Sequence, residues 1–429
     1  RDQPRSRGLG DVYKRQVFES VHPFIGKATD LWLRIRPDFV PLGPVEPKIM
    51  RRFNMFAAIL PREIIFDLAE DPDVKRIYSD EVVYATQFPT VPPEGVFEIE
   101  RALRKKVKRV RFTSTFWTKK AIGADIANQK GFDGRNILVA VADTGASRTH
   151  EQLRGKVEFE TVMPMQYKDA NGHGTWCAAC IAGWQAVDSM LSHMARSVVI
   201  CEGMAPKAYI LAIKCLGYVI GCGSTSDIIK AMEIALDRGA DIVSMSLGGP
   251  CDAQEPEEDP FYKVCEELVK YNVIPVIAAG NEGPDPNTIG TPGAMPQVLT
   301  VGAYDPITGE VASFSSRGPT NWGDIKPDVV APGVNIDSAI VGVLDTAGDG
   351  VVNRYSPISG TSMATPHVAG LVALMRQAHR DVLGRVLSVM EIKEMMEELG
   401  KEKDNESGWG AITWQIYEEW VSTQYGVTL

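Results

Sequence analysis

Short apolar segments alternate with helix-like segments from Ile122 onward, and this alternation restricts the possible folds more than any other feature of the chain. Each apolar segment is a continuous run, as expected for a strand that is buried on both faces of a parallel sheet. The pattern predicts an α/β fold with an open, mostly parallel sheet and helices on both faces. The predicted strands are ILVAVAD, AYILAIKCL, ADIVSMSLGG, VIPVIAAGN, VLTVGAY and DVVAPG.

Two of the predicted strands end in polar residues. Asp143 ends ILVAVAD, and Asn281 ends VIPVIAAGN. Parallel α/β sheets place their binding sites at this edge. A carboxylate there can hold an imidazole in one tautomer, and a side-chain amide can donate a hydrogen bond to a developing oxyanion. Taken singly, Asp143 is more often an ordinary turn or cap residue, and Asn281 is compatible with a turn asparagine before Glu282-Gly283.

Two predicted helices begin near residues that are capable of acid–base and nucleophilic chemistry. His173 follows an Asn-Gly turn, and Ser362 follows Gly360-Thr361 at the start of a long apolar helix. Backbone N–H groups and the helix dipole at such a start can stabilise negative charge. The segment is not a GxSxG elbow, because Ala364 stands where the second glycine would be. A serine before a helix is most often an N-cap, so Ser362 alone would not indicate catalysis.

Four windows in order along the chain resemble the catalytic windows of the subtilisin-like serine proteases (subtilases, peptidase family S8). They are DTG at Asp143, NGHGT at His173, AAGN at Asn281 and GTSMATPHVAG at Ser362. The resemblance covers roughly residues 112–429 and continues through GMAPKAYILAIKCL, FSSRGP, KPDVVAPG and GWGAITW. It implies a three-layer α/β/α fold with a mostly parallel sheet of about seven strands. It also implies a catalytic triad of Asp143, His173 and Ser362, with Asn281 in the oxyanion hole.

The same resemblance assigns a substrate-binding cleft. One wall of the S1 pocket would be Ser246, Leu247, Gly248 and Gly249, and Gly290 would lie at its floor, where glycine leaves room for a large apolar P1 side chain. The segment Gly221–Ser224, with Gly221 and Gly223, would be an edge strand to which the substrate adds as a β-strand. Asp169 and Thr361 would support the catalytic residues. Met363, beside the nucleophile, would be a site of inactivating oxidation.

Three features depart from the family pattern. Trp176 stands where the family usually has a histidine. The segment Trp184–Glu202 replaces a loop that often binds calcium, so a structural calcium is an expectation without identifiable ligands; the chemistry itself would need no cofactor. Cys177 falls where one branch of the family has a free cysteine beneath the catalytic histidine, although it could equally be an ordinary buried cysteine.

The N-terminal part reads as a smaller unit. In residues 46–85, the strand FNMFAAIL, the helix REIIFDLAEDP and the strand VKRIYSDEVVYA follow one another. The pattern resembles the inhibitory propeptide of subtilases, a small α+β ferredoxin-like domain. We predict a propeptide at 17–85, a linker with the processing region at 86–113 and a catalytic domain at 114–429. Residues 1–16 lack periodicity and read as a non-native or disordered head.

The predicted linker contains the proline-rich stretch TQFPTVPPEG and the basic stretch Arg101–Arg111. The basic stretch is compatible with a solvated helix or linker surface, or with a protease-sensitive processing segment. The propeptide tail, from about Ala85, would occupy the cleft as an intramolecular inhibitor. Cleavage would then fall within residues 85–113.

Composition excludes several classes of function. A formal net charge of −10 argues against nucleic-acid binding. No apolar run reaches the roughly 18 to 20 residues that a membrane helix needs. Seven cysteines leave at least one thiol unpaired even if the protein is secreted, and the Cys177–Cys180 pair lacks the second pair typical of zinc sites.

These observations together predict a secreted serine endopeptidase in its proprotein form, monomeric and of broad specificity for polypeptides. Two alternatives stay open at this point: a catalytically silent binding module with the same fold, and a processing protease of narrow specificity. The extracellular location is inferred from the family alone.

Overall fold

The structure, a computed structural model, describes residues 13–20, 48–53, 55–61, 74–79, 82–85, 97–103, 106–217, 221–341 and 354–429. Its strands are β1 (Tyr13–Ser20), β2 (Lys48–Met50), β3 (Met55–Pro61), β4 (Val74–Ser79), β5 (Val82–Ala85), β6 (Phe97–Leu103), β7 (Lys106–Ser114), β8 (Leu138–Asp143), β9 (Val157–Thr161), β10 (Ala186–Asp188), β11 (Val199–Cys201), β12 (Tyr209–Lys214), β13 (Cys222–Ser224), β14 (Ile242–Met245), β15 (Leu247–Gly248), β16 (Ile274–Ala278), β17 (Leu299–Tyr304), β18 (Val329–Pro332), β19 (Ile336–Ala339) and β20 (Tyr355–Ile358).

The α-helices within these residues are α1 (Thr115–Ala121), α2 (Ala124–Gln129), α3 (His173–Ala182), α4 (Ser189–Ala195), α5 (Thr225–Asp237), α6 (Phe261–Lys270), α7 (Thr361–Leu383), α8 (Val389–Leu399) and α9 (Trp414–Tyr425). Short 3-10 turns occur at Arg51–Phe53 and Pro256–Glu258. Within the described stretches, no helix combines the length and the apolar composition that crossing a bilayer requires.

Seven strands form the central sheet, in the order β18-β17-β16-β14-β8-β12-β9. Every pairing within this sheet is parallel. Parallel neighbours cannot be joined by tight hairpins and need crossover connections, which helices such as α5 and α6 provide. The predicted parallel sheet of seven strands is confirmed.

Helices cover both faces of this sheet. In β8, Val139 and Val141 belong to the apolar core that includes α3 and α7, whereas Ala140 and Ala142 belong to the core that includes α5 and α6. Alternate residues of a strand point to opposite faces, so these cores are separate layers on the two sides of the sheet. The predicted three-layer α/β/α arrangement is confirmed.

Helix α7 contains a proline, Pro366, near its start. It begins at Thr361, so Pro366 lies in the second turn rather than the first. Proline has no N–H to donate to the carbonyl four residues earlier, which is that of Ser362. The Ser362 carbonyl instead accepts a hydrogen bond from Ser246 Oγ at 2.9 Å. The hydrogen bond that the helix lacks at Ser362 O is therefore replaced by one that connects the helix to the end of β14.

The N-terminal part contains a four-stranded sheet in the order β2-β3-β1-β4. Strand β1 pairs antiparallel with β3 from Tyr13, opposite Pro61, to Glu19, opposite Met55. The segment predicted to be a head at 1–16 therefore ends inside a strand, because Tyr13 to Gln16 have ladder partners. The helix predicted from REIIFDLAEDP lies outside the described residues.

The predicted linker at 86–113 contains a β-hairpin. Strands β6 and β7 pair antiparallel from Phe97, opposite Phe112, to Leu103, opposite Lys106. Strand β7 also pairs in parallel with β19, and Thr113 N donates to Asn335 O at 3.1 Å. The described residues of the basic stretch, 101–103 and 106–111, are thus part of a hairpin rather than a helix or an open linker.

All seven cysteines lie in the described part of the chain, and none of them forms a disulfide. Cys222 and Cys251 are partly accessible, and the other five are buried. The buried thiols are part of the apolar layers described above.

Candidate active site

His173 and Asp143 form a buried pair at the carboxyl edge of the central sheet. Asp143 is the last residue of β8, and His173 is the first residue of α3. His173 Nδ1 lies 2.8 Å from Asp143 Oδ1 and 3.0 Å from Oδ2, and both side chains are fully buried. Facing a carboxylate, Nδ1 carries the proton, which leaves Nε2 as the ring's acceptor. Nε2 has no hydrogen-bond partner among the described residues.

Asp169 stabilises the turn that precedes His173 in the chain. Its Oδ1 accepts from Gly172 N at 2.8 Å, and its Oδ2 accepts from Thr175 N at 3.0 Å and Thr175 Oγ1 at 2.6 Å. Burial raises the pKa of this carboxyl against the opposing effect of these hydrogen bonds. Gly172 has a φ of +99°, and a Cβ there would lie 2.1 Å from Val341 O, so only glycine fits. Asp169 thus shapes the approach of His173 without touching its ring.

Ser362 lies in the first turn of α7, against the end of β14. Its Oγ donates to Ser246 O at 3.0 Å, and its carbonyl accepts from Ser246 Oγ. Cys177 connects it to the histidine: the Cys177 Sγ lies 3.7 Å from Ser362 O and within 4.8 Å of ligand atoms of His173 and Asp143. The structure therefore brings all three predicted triad residues to one edge of the sheet.

Asn281 lies next to the start of α7, and the N–H₂ of its side-chain amide has no hydrogen-bond partner among the described residues. Its Oδ1 accepts from Thr361 N at 2.9 Å and from Thr361 Oγ1 at 3.0 Å. Since the Thr361 backbone N–H can only donate, the amide oxygen must face it, and this orients Nδ2 away. Asn281 Nδ2 is buried without a partner among the described residues. An unsatisfied buried donor is costly to folding, and a carbonyl oxygen arriving in the cleft would satisfy it.

The predicted cleft residues lie on the two sides of a single groove. Strand β13 and strand β15 are not paired with each other; strand β5 lies between them and pairs antiparallel with both. Gly249 bridges Thr291, and a Cβ on the neighbouring Gly290 would lie 2.7 Å from Gly249 O. At Gly223 a Cβ would lie 2.2 Å from Cys215 O. Gly221, with a φ of +66°, precedes β13. Because these glycines have no Cβ, the main chain of each wall can lie directly against the neighbouring main chain.

Lys214 is a buried contributor that the sequence reasoning missed. It ends β12 beside Asp143, and its Nζ donates to Thr144 O and Leu216 O, both at 2.8 Å. Burial lowers the pKa of this ammonium, while Asp169 and Asp143 act in the opposite direction. Its positive charge therefore faces two buried carboxylates. The available signal was a lone lysine inside the apolar run AYILAIKCL.

Cys177 lies where it was expected, beneath the histidine. Burial and the charge of Asp143 raise the pKa of its thiol well above the usual value. The group is therefore a neutral thiol, which donates to Ser362 O. We assign it packing and positioning rather than chemistry.

His367, on the second turn of α7, is held as a neutral imidazole. Its Nδ1 faces Met363 O at 2.7 Å, and its Nε2 faces Thr118 Oγ1 at 2.6 Å. A carbonyl can only accept, so Nδ1 carries the proton and Nε2 accepts. Burial lowers the pKa of His367 to about 4.

This low pKa predicts a loss of stability in acid. The unfolded chain binds a proton at His367 below about 6.5, whereas the folded chain does so only below about 4. Stability from this residue is thus complete above pH 6.5 and is lost as the pH falls towards 4, by roughly 3 kcal/mol in total. We expect His367→Gln to make the free energy of unfolding depend less on pH over that range. Urea denaturation at several pH values would measure this. Placing the substitution in a Ser362→Ala background prevents self-digestion.

The control for this prediction is His193→Gln, since His193 is exposed on α4. It should leave the pH dependence unchanged. Equal slopes for the His367 variant and the parent protein would contradict the assignment.

A structural calcium at the segment Trp184–Glu202 stays a prediction without identified ligands. Ca²⁺ takes roughly six to eight oxygen ligands. Here Gln152 Nε2 donates to Trp184 O at 2.8 Å, and Lys156 Nζ donates to Ala182 O at 2.6 Å and to Pro206 O. Glu202 pairs with Lys119 Nζ at 2.9 Å. Among the His, Cys, Asp and Glu side chains that the structure describes, one cluster of three lies close enough to coordinate a metal ion. It consists of Asp143, His173 and Cys177.

Comparisons with known proteins agree with this geometry. Residues 134–410 match the sequence profile of the subtilase family, Peptidase S8. Serine protease AprX of Bacillus subtilis (strain 168) is 38% identical over 293 residues, which are 63% of this chain and 62% of AprX. Subtilisin E of the same strain is 30% identical over 339 residues, covering 77% of this chain and 74% of that protein. The major intracellular serine protease of that strain is 33% identical over 273 residues, covering 61% and 75%. The chain thus spans less than two thirds of AprX.

Proposed function

Because this chain belongs to the subtilase family of serine proteases, we propose that it is an endopeptidase in which Ser362, His173 and Asp143 act together on the peptide bond. The observation that carries the proposal is the buried His173–Asp143 pair, whose Nε2 has no partner among the described residues. An imidazole held in this tautomer is ready to accept a proton at Nε2.

The reaction would begin when Ser362 Oγ turns from Ser246 O towards His173 Nε2. Catalytic hydrogen bonds are often long or misaligned before substrate binds, so the present hydrogen bond is compatible with this step. His173 takes the hydroxyl proton while Oγ attacks the substrate carbonyl, and Asp143 stabilises the resulting imidazolium. His173 then protonates the leaving amine, and water hydrolyses the acyl-enzyme by the same sequence.

The tetrahedral oxyanion would be bound by two donors. One is Asn281 Nδ2, and the other is the Ser362 backbone N–H in the first turn of α7, where helices provide no internal acceptor. Thr361 holds the Asn281 amide oxygen, so the donor is oriented before the substrate arrives. Such preorganised donors act on the transition state more than on the bound substrate.

Asn281→Ala should therefore lower kcat by about 10²- to 10³-fold with little change in KM, a size of effect known for the corresponding amide of subtilisin. Steady-state kinetics on a fluorogenic peptide would measure it. The substitution also removes the oxygen that accepts from the Thr361 N–H and hydroxyl, so a modest fall in Tm is expected. A thermal melt shows whether the variant is folded at the assay temperature, which separates the catalytic effect from misfolding. An unchanged kcat would contradict the role of Asn281.

The N-terminal unit would act as an intramolecular inhibitor of this site. Strand β5 fills the groove between β13 and β15, which is where an extended substrate would bind. The unit also contacts α5: Lys48 pairs with Asp227, Arg52 pairs with Asp237, and Arg52 N donates to Glu233 Oε1 at 2.8 Å. Its buried residues Met50, Phe53 and Met55 share the apolar core of α5 and α6. These contacts support a proprotein form in which the cleft is blocked.

Substrate preference and location are the finer parts of the proposal. Backbone-lined walls at Gly223, Gly248 and Gly290 favour broad specificity, with a large apolar residue at P1. We propose polypeptide substrates and a monomeric enzyme. Secretion stays a prediction, since the seven thiols are unpaired and one relative is named as intracellular.

A further inference from the structure

Lys214 is a buried cation that the proposed reaction does not use. It is the last residue of β12 and lies opposite Asp143 in the parallel ladder of the central sheet. Register partners in neighbouring strands point to the same face, so the lysine side chain lies on the face of the sheet that α3 covers. It is fully buried there. A buried charge is costly to folding unless opposite charges and hydrogen bonds compensate for it, so this ammonium needs an explanation.

Thr144 connects the ammonium to the rest of the active site. Its carbonyl accepts from Lys214 Nζ at 2.8 Å, and its N–H donates to Asp143 Oδ1 at 2.6 Å. Its hydroxyl donates to Asp169 Oδ1 at 3.1 Å and accepts from Gly174 N, in the first turn of α3, at 2.9 Å. The residue that Lys214 holds therefore contacts both buried carboxylates and the catalytic helix.

Asp169 is surrounded by hydrogen-bond donors. Its Oδ1 accepts from the Thr144 hydroxyl at 3.1 Å and from the N–H groups of Asn171 and Gly172 at 3.0 and 2.8 Å. Its Oδ2 accepts from the N–H and the hydroxyl of Thr175 at 3.0 and 2.6 Å. A proton on this carboxyl would reverse or displace at least one of these hydrogen bonds. The turn that precedes α3 therefore depends on an ionised Asp169, although burial raises the pKa of this group.

We propose that Lys214 is the counter-ion that keeps Asp169 ionised and that, through Thr144, it positions His173 for catalysis. The inference rests on the proposed peptidase function and assigns one more residue to it. Lys214 is a positioning residue in this role, since it acts through Thr144 and Asp169. The proton of the reaction passes between other side chains.

The charges that face the ammonium come from several elements. Asp143 ends β8, Asp169 lies before α3, and Cys215 follows Lys214 in the chain. Burial raises the pKa of the Cys215 thiol well above its usual value, so this group is neutral, and β9 places an uncharged threonine opposite the lysine. Without the ammonium, two buried carboxylates would have no cation facing them. Uptake of a proton, by Asp169 or by His173, would then occur at higher pH.

Lys214→Met removes the charge and keeps a side chain of similar length. Either protonation stops the reaction, because one disturbs the turn and the other blocks the general base. We therefore expect the acid limb of the kcat/KM profile to move to higher pH by about one unit, which lowers kcat/KM by about tenfold at pH 6 and by less at pH 8. Steady-state kinetics on a fluorogenic peptide between about pH 5 and 9 would measure it. A merely structural role would lower kcat/KM by a similar factor at every pH.

Lys156→Met is the matched control. Lys156 is also a buried ammonium that donates to two backbone carbonyls, those of Ala182 and Pro206, but the carboxylate that acts on it is Glu202. Its loss should lower Tm and leave the acid limb in place. Lys214→Arg, which keeps the positive charge, should also keep the acid limb of the parent protein, even where its larger head group lowers kcat.

A second measurement needs no active enzyme. In a Ser362→Ala background, Lys214→Met, Asp169→Asn and the double variant form a double-mutant cycle, followed by urea denaturation at neutral pH. If the two charges compensate each other, the double variant should lose clearly less free energy of unfolding than the sum of the two single losses. Additive losses would overturn the inference.

The two measurements separate this inference from the peptidase function. A parent protein that hydrolyses peptides, together with a Lys214→Met variant whose acid limb has not moved, overturns the role of Lys214 and leaves the peptidase standing. A parent protein that hydrolyses no peptide contradicts the proposed function, and the double-mutant cycle then decides by itself whether Lys214 is the counter-ion of Asp169.

Discussion

Ser362→Ala is expected to abolish peptidase activity, with a loss of about 10⁶-fold in kcat, a size known for the nucleophile of subtilisin rather than derived from this geometry. The substitution removes the one oxygen that can form the acyl-enzyme. It leaves the Ser362 carbonyl, which accepts from Ser246 Oγ, in place. The fold should therefore persist, and Tm should change little. Hydrolysis of a fluorogenic peptide and self-cleavage of the full chain are the two measurements.

Ser422→Ala is the matched control, since Ser422 is exposed on α9, far along the chain from the site. It should retain full activity. Labelling with a fluorophosphonate should mark the parent protein at Ser362 and leave the Ser362 variant unlabelled. A protein that resists labelling after its N-terminal unit has been removed would favour the silent binding module. A Ser362→Ala variant that stays active would contradict the role given to Ser362.

Asp143→Asn is expected to lower kcat/KM by about 10⁴-fold at neutral pH, the size known for this change in a serine protease of another fold. Thr144 N donates to Asp143 Oδ1 at 2.6 Å, so an asparagine would keep its oxygen there. Its amide N–H₂ would then take the place of Oδ2, which lies 3.0 Å from His173 Nδ1. Nδ1 of His173 would then have to accept, and the ring proton would move to Nε2. The ring could no longer take the proton of Ser362. Steady-state kinetics would measure the loss.

Asp169→Asn provides a contrast for the same experiment. Thr175 donates to Asp169 Oδ2 through both its N–H and its hydroxyl. An amide N–H₂ in that place would face two donors, so the expected effect is a lower Tm rather than a changed histidine tautomer. If Asp143→Asn retained activity within about tenfold of the parent, the role given to Asp143 would be wrong.

The sheet and the position of the site followed from sequence because both depend on local patterns. Continuous apolar runs predict strands that are buried on both faces, and polar residues at their carboxyl ends predict a site there. Asp143 and Asn281 were identified in this way from the ends of two runs. His173 and Ser362 needed the combination of windows, since each alone could be a turn or cap residue.

The parts that could not be predicted depend on contacts between distant segments. The hairpin at 97–114 is rich in basic residues and lacks turn glycines, and its second strand is stabilised by β19, more than 200 residues away. The role of Pro366 also required the structure, because only the exact start of α7 shows that the Ser362 carbonyl loses its helical donor. Lys214 was missed for the same reason, since the carbonyl groups that accept from it come from two separate loops.

The groove that β5 occupies between β13 and β15 limits which proteins this enzyme could digest once β5 has left it. The groove pairs with main-chain groups on both sides, so a client must present about four consecutive residues with neither edge already paired. Native helices and interior strands cannot do this, whereas frayed termini, long loops and locally opened segments can. We therefore expect an unfolded polypeptide to be hydrolysed faster than the same chain in its folded form.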